Sequence, residues 1–231
     1  MDPTPVKINN GYDPQATETT QRRYQRNARF YDRMETGMEK MAGPWRKQLW
    51  ALVKGPRVLE VGVGTGKNMP YYPEDTHITA IDLTSGMLER AQQRANEMHR
   101  PVQLGLGDVQ RLDFPDAAFD SVTATFVFCS VPNPILGLQE IRRVLQPGGR
   151  VLLLEHVRSE KPIFGKLMDW LNPLVVRIMG ANINRRTVEN VRQSGLAIEQ
   201  VEHLGSGDIF KLIIARRPFE ITDSCEPSHI L

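Results

Sequence analysis

Three glycines at alternate positions, Gly62, Gly64 and Gly66, follow the apolar run at the start of RVLEVGVGTGKNMPYY, Arg57 to Tyr72. Glycine is the costliest residue to order, so three together mark a close approach of backbone to something. Glu60 stands two residues before the first of them. Asp82 ends the next apolar run, 22 residues after Glu60, and Asp108 ends the one after that. A carboxylate in Asp82's place can accept both hydroxyls of a ribose, and one in Asp108's place can accept an adenine amino group. Either acid alone reads equally as a turn residue or a helix cap. With the glycine loop, in this order and spacing, the two point to a nucleoside crevice. The pattern Gly-x-Gly-x-Gly is not the Gly-x-Gly-x-x-Gly of a dinucleotide loop. Nor is Lys67 placed beside Ser or Thr after a longer loop, as in a P-loop.

Other chemistry leaves little trace. His77, His99, His156, His203 and His229 are scattered without ligand spacing, so no metal is expected. The two cysteines, Cys129 and Cys225, form neither a disulfide framework nor a zinc pattern, and Cys129 lies in an apolar run as a small core residue would. His156, in LLLEHV, is the best candidate for a base, because it ends a strand whose end faces the crevice. A structural or solvent-facing histidine is the plainer reading of the same residue. Glu155 points to the opposite face if the strand is regular.

These residues need a scaffold that brings strand ends together. Short apolar runs at 57–62, 77–83, 102–108, 121–131 and 150–157 read as strands, separated by helical candidates at 85–99 and 134–146. The alternation predicts a parallel sheet with helices on both faces. A helix at 187–194 leads into runs at 197–204 and 209–217, joined by GSGD, which predict an antiparallel hairpin. We expect a loose arm at 1–18, a helical cap at 19–53, the main domain at 54–218 and a polar tail at 219–231. In the cap, 43–53 reads as a helix with Pro44 in its first turn. Residues 158–187 break the rhythm with an apolar insertion punctuated by Pro162, Pro173 and Gly180, expected to form a lid.

Composition bounds the partners. With 231 residues, 40% hydrophobic and 24% charged, the chain can bury a core without staples. A net charge of +2 and the lack of a strongly basic module give no reason to expect nucleic acid. The N-terminal stretch lacks the apolar core of a signal peptide, and no window of about 20 residues is free of charge and proline. We therefore expect a cytoplasmic protein, with peripheral membrane contact left open.

Four segments, VLEVGVGTGKN, AIDLTSGML, GDVQRLDFPDAAFDSVTATFVFCSV and EIRRVLQPGGRVLLLEHV, together resemble the class I S-adenosylmethionine-dependent methyltransferases, from about Trp45 to Pro218. The branch most similar contains quinone C-methyltransferases, bacterial phospholipid N-methyltransferases and methyltransferase-like thiol methyltransferases. The resemblance implies an α/β, Rossmann-like sheet of seven strands, order 3-2-1-4-5-7-6, with strand seven antiparallel. It implies S-adenosylmethionine as cofactor. Gly62, Gly64 and Gly66 would form the loop beside its methionine part, with Glu60 orienting that loop. Asp82 would hold the ribose, Leu83 and Met87 would pack near the adenine, and Asp108 and Val109 would bind its edge. Phe126 would lie near the methyl group. The thiol-methylating relatives have a similar Asn-rich turn; here it is GANINRRT, with Asn182, Asn184 and Arg185 expected at the acceptor mouth.

The acceptor is read from the apolar insertion and the aromatic N-terminal cap. Tyr31 and Trp45, with Tyr24 and Phe30, would form a wall opposite the lid, suiting a lipophilic acceptor: a quinone ring, an aminophospholipid or a small thiol. Two other readings stand beside this one, a non-catalytic S-adenosylmethionine-binding regulator and a nucleic-acid methyltransferase. The second lacks the Asn/Asp-Pro-Pro-Tyr motif after strand four, where this chain has FCSVPN.

Overall fold

A computed structural model describes residues 11–28 and 36–219. Seven strands form one sheet: β1 (Arg57–Val61), β2 (His77–Asp82), β3 (Gln103–Leu106), β4 (Phe119–Thr125), β5 (Leu145–His156), β6 (Ala197–Leu204) and β7 (Phe210–Arg216). Their order is β3-β2-β1-β4-β5-β7-β6. All neighbours are parallel except β7, which runs antiparallel to both β5 and β6. The expected topology and terminal hairpin are both present.

Six helices accompany the sheet among the described residues: α1 (Pro14–Asn27), α2 (Thr36–Ala51), α3 (Ser85–Glu97), α4 (Pro134–Val144), α5 (Pro162–Met179) and α6 (Thr187–Gln193). Alternate strand residues feed two cores. Leu59, Val61, Val122 and Leu153 pack under Leu138 and Ile141 of α4 and Val191 of α6. Val58, Ala80, Leu152 and Leu154 face Leu49 and Trp50 of α2 and Ala91 of α3. The near-continuous apolar strands follow from this, because both sheet faces are covered.

Local signals set most boundaries. Asp13 caps α1 by accepting from the amides of Gln15 and Ala16 at 2.9 and 3.1 Å, so the helix begins at Pro14 rather than at Thr19. Asn133 caps α4 in the same way, through the amide of Leu136 at 3.1 Å. Gly180, at φ 84°, ends α5.

Three expectations need correction. Pro44 is inside α2, not in its first turn, since the helix already runs from Thr36. The fourth strand stops at Thr125, because Phe126 takes a left-handed φ of 57° and turns the chain out of the sheet. The fifth begins at Leu145 rather than Arg150, for Leu145 pairs with Phe119 and the Pro-Gly-Gly that follows is drawn into the edge beside Arg217.

Candidate active site

Strand order reverses about β1, with β2 on one side and β4 on the other. That is where an open α/β sheet leaves a crevice beyond its strand ends. An open cleft lies there, lined by the ends of β1, β2 and β4 and the loops that follow them.

The glycine loop forms one wall. The amides of Gly62 and Val63 donate to the Ile81 carbonyl at 2.8 and 3.0 Å, which ties the loop to the end of β2. The Gly64 amide donates to Asp82 Oδ2 at 2.9 Å, while Asp82 Oδ1 accepts from the amide and hydroxyl of Thr84, both at 3.0 Å. Burial pushes the Asp82 carboxyl upward, and these donors pull it back. Gly62, Gly64, Asp82, Leu83 and Met87 all line the cleft, as do Asp108, Val109 and Phe126. Eight of the ten residues assigned to the cofactor from sequence are thus brought to one cavity.

Glu60 and Gly66 stand behind that wall. Glu60 is wholly buried; one oxygen accepts from Asn68 Nδ2 and the other from the Tyr72 hydroxyl. Asn68 in turn donates to Thr125 Oγ1 at 3.1 Å and accepts from Arg46 Nη1 at 2.8 Å. The network clamps the glycine loop to the end of β4. Gly66 closes the loop at φ 81°, where a side chain would strike Met69.

The other wall comes from α1 and from the loop after β4. Thr20 and Tyr24 of α1 face Val127, Ser130, Val131 and Pro132. The Tyr24 hydroxyl is hydrogen-bonded to the Ser130 hydroxyl. Gln21 Nε2 donates to the Leu83 carbonyl at 3.0 Å, and Gln25 Oε1 accepts from the Gly86 amide at the same distance. Gln110 Nε2 bridges Thr17 Oγ1 and both oxygens of Asp108, each at 3.1 Å. α1 therefore lies across the cleft on polar contacts. Its polarity read as solvent exposure in the sequence, which gave no sign of this role beyond Tyr24.

Residues assigned to catalysis and to the acceptor are dispersed. Tyr31 lies outside the described residues. Trp45 packs on Phe210 at 5.2 Å between ring centroids, and Phe210 on Phe126 at 6.2 Å, so Trp45 supports the cleft from one ring away. Arg46 lies 5.7 Å from the Phe126 ring centre. Asn184 donates to Asp169 on α5 at 3.1 Å. Arg185 donates to the carbonyl of cleft-lining Val131 at 2.7 Å, bracing it from outside. His156 is not among the residues lining the cleft. Its Nε2 is buried without a partner, and burial pushes the imidazole down, away from the charged form.

Glu155, mentioned from sequence only as the neighbour of His156, has a clear structural task. Its Oε1 accepts from the amides of Val127 and Phe128 at 2.9 and 3.0 Å, holding the turn that begins at Phe126. Burial pushes its carboxyl up to about 8, against those two donors and Arg185. Between its ordinary value and about 8 the folded chain keeps a proton that the unfolded chain has released, so stability falls as pH rises through this window. Glu155→Gln retains an oxygen for both amides and has no such proton to lose. Its melting temperature is expected to decline less than that of the unsubstituted protein from about pH 5 to about pH 8. Parallel melting curves would show Glu155 ionised throughout.

Asp82 and Asp108 line the same cleft as the aromatic and apolar side chains of Phe126, Val127, Val131 and Pro132. A methyltransferase-domain family model matches residues 59–153. Phosphatidylethanolamine N-methyltransferase of Cereibacter sphaeroides is 43% identical over 110 residues, which cover 47% of this chain and 54% of that one. Demethylmenaquinone methyltransferase of Deinococcus radiodurans is 33% identical over 168 residues, covering 69% and 70%. The chain thus spans about half the length of the first relative and over two thirds of the second. Geranyl diphosphate methyltransferase in complex with S-adenosylmethionine superposes with a TM-score of 0.63 over 75% of this chain and 83% of that one, at 16% identity. That last likeness is one of fold.

Proposed function

The chain belongs to the class I S-adenosylmethionine-dependent methyltransferases, and from that premise we propose that it methylates the headgroup of a membrane lipid, an aminophospholipid or a demethylated quinone. The observation that carries this reading is the division of the cleft. Its acids, Asp82 and Asp108, stand at the ends of β2 and β3, while the loop after β4 presents Phe126, Val127, Val131 and Pro132. The two relatives named above act on a phospholipid and on a quinone, acceptors that an apolar mouth suits.

In this reading Asp82 holds the ribose hydroxyls and Asp108, kept in place by Gln110, meets the adenine. Met87 and Val109 flank the base. Gly62 and Gly64 let the backbone lie along the methionine part. Phe126 borders the reacting centre. S-adenosylmethionine would supply a sulfonium methyl that is already activated, its sulfur leaving as a neutral thioether with the electron pair of the broken bond, and the proton displaced from acceptor nitrogen or carbon would pass to solvent. The protein's work is alignment and exclusion of water. Tyr24 and Ser130 close the cleft from above, and Arg185, Glu155 and the Asn68 network hold its walls. His156 is not needed in this account as a base in contact with the acceptor.

Transfer of labelled methyl tests the proposal. The enzyme is given S-adenosylmethionine with, in parallel, aminophospholipid vesicles, demethylated quinones and small thiols. Label is expected in one of the two lipid pools, and mass analysis identifies the methylated atom. Label in the thiol pool alone would overturn the lipid reading.

A further inference from the structure

Amphipathic helices of globular proteins turn their apolar side inward. α5 carries a second apolar side outward. Ile163, Phe164, Leu167, Trp170, Leu174 and Ile178 are all exposed, Ile163 by 84% and Trp170 by 77%. Spaced three and four apart, five of them form a continuous stripe along a helix of 18 residues. The inner side sets half-buried Met168, Val175 and Val176 beside polar contacts. Asp169 is gripped by Arg158 at 2.8 Å and by Asn184 at 3.1 Å. Asn172 donates to Asn182 Oδ1 at 3.1 Å and accepts from the Ile183 amide at 2.9 Å. The outward stripe is thus built in, by hydrogen bonds that fix which side faces out.

Charge identifies what covers it. At 100° per residue, Lys166 and Arg177 border one edge of the stripe. Lys161 precedes the helix. None of these three side chains is in an ion pair among the described residues, and the helix's one acid, Asp169, is already neutralised by Arg158. A second copy docked antiparallel, about a two-fold axis across the helix, would bring these cations toward their own images. An anionic surface would not. No helix of the described residues is long and apolar enough to cross a membrane, but such a helix can lie in the headgroup layer, where an indole at its centre is well accommodated.

We infer that α5 is a docking helix that seats the enzyme on an anionic lipid surface, its apolar stripe in the headgroup–acyl boundary and its cations against lipid phosphates. The helix is connected to the cleft. Asn182, which pairs with Asn172 of α5, donates through its amide and its side chain to the Cys129 carbonyl at 2.9 and 3.0 Å, next to cleft-lining Ser130. Docking through α5 brings this side of the cleft toward the membrane, the source of the proposed acceptor. The inference rests on the lipid-acceptor reading for its purpose, though not for its geometry.

Vesicle flotation tests it. The full chain is mixed with phosphatidylcholine vesicles, with or without phosphatidylglycerol. Binding is expected with the anionic vesicles and is expected to weaken as salt rises. Trp170→Glu, an exposed change, should reduce vesicle affinity about tenfold or more, with S-adenosylmethionine affinity unchanged. Lys166→Glu with Arg177→Glu should remove the preference for phosphatidylglycerol. Brominated lipid should quench Trp170 emission. Equal flotation of the unsubstituted protein and Trp170→Glu would overturn the inference. So would a dimer that Trp170→Glu dissolves, which would assign the stripe to a second copy. The two proposals fail separately. Flotation through α5 without lipid methylation removes the acceptor reading and leaves the docking helix. Methylation of lipid in detergent micelles without α5-dependent flotation does the opposite.

Discussion

Asp82→Ala is expected to weaken S-adenosylmethionine binding by at least ~100-fold, measured by calorimetric titration. The magnitude follows from hydrogen bonds to a charged group at about 1.5–3 kcal/mol each, two of them lost, with 1.4 kcal/mol equal to a factor of ten. Asp82 also organises its own surroundings, since Oδ2 takes the Gly64 amide and Oδ1 takes Thr84. Alanine therefore loosens the glycine loop as well as removing the diol acceptor. Asp82→Asn separates the two effects. It keeps an oxygen for the Gly64 amide but has no charge and one acceptor fewer, so an intermediate loss of about tenfold is expected. Acid should act like asparagine. Burial raises the Asp82 carboxyl, so affinity should fall on acidification earlier than for an exposed aspartate. Unchanged affinity in Asp82→Ala would remove the ribose assignment.

The central half of the molecule was legible because its signals are local. Each strand is a short apolar run, Asp82 ends one and Asp108 follows another by two residues, and α4 begins at Pro134, the first residue of its candidate helix. What was not legible depends on distant partners. The Pro147-Gly148-Gly149 sequence reads as a turn, yet Gly148 donates to the Arg217 carbonyl and Arg217 to the Gly149 carbonyl, each at 2.9 Å. Tertiary pairing overrides the turn signature. The position of His156 at a strand end suggests a base; it is not among the residues lining the cleft, while its neighbour Glu155 holds the turn after β4. No periodicity reveals that α1 closes the cleft, because it does so through Thr17, Gln21, Tyr24 and Gln25, residue types that also suit water. α5 shows the same difficulty in reverse. Its apolar residues read as a lid over the site, and the structure turns most of them outward.

The glycine loop allows the sharpest division between holding the fold and holding the ligand. Gly62 has φ 68°, and a Cβ there would lie 2.5 Å from Val127 Cγ2. Val127 is pinned by the Glu155 carboxyl at its amide and cannot readily retreat. Gly62→Ala thus meets both a left-handed penalty of roughly 1–2 kcal/mol and an overpacking cost of about 1–3 kcal/mol. For a chain of this size that corresponds to a fall of about 4–20 °C in melting temperature. Gly64, at φ 55°, would meet nothing within 4 Å, yet it lines the cleft. Gly64→Ala should incur only the backbone penalty, about 2–8 °C, while placing a methyl group where the methionine part of the cofactor is proposed to lie. Scanning calorimetry with and without S-adenosylmethionine reads both. Gly62→Ala is expected to melt far lower than Gly64→Ala when ligand-free. Gly64→Ala is expected to lose more of the stabilisation that ligand confers than its own small fall in melting temperature would explain. If Gly64→Ala gained as much from the ligand as the unsubstituted protein, the cofactor would not pass along this loop. If both variants melted alike, Val127 would yield, and the turn held by Glu155 would be softer than its two amide hydrogen bonds imply.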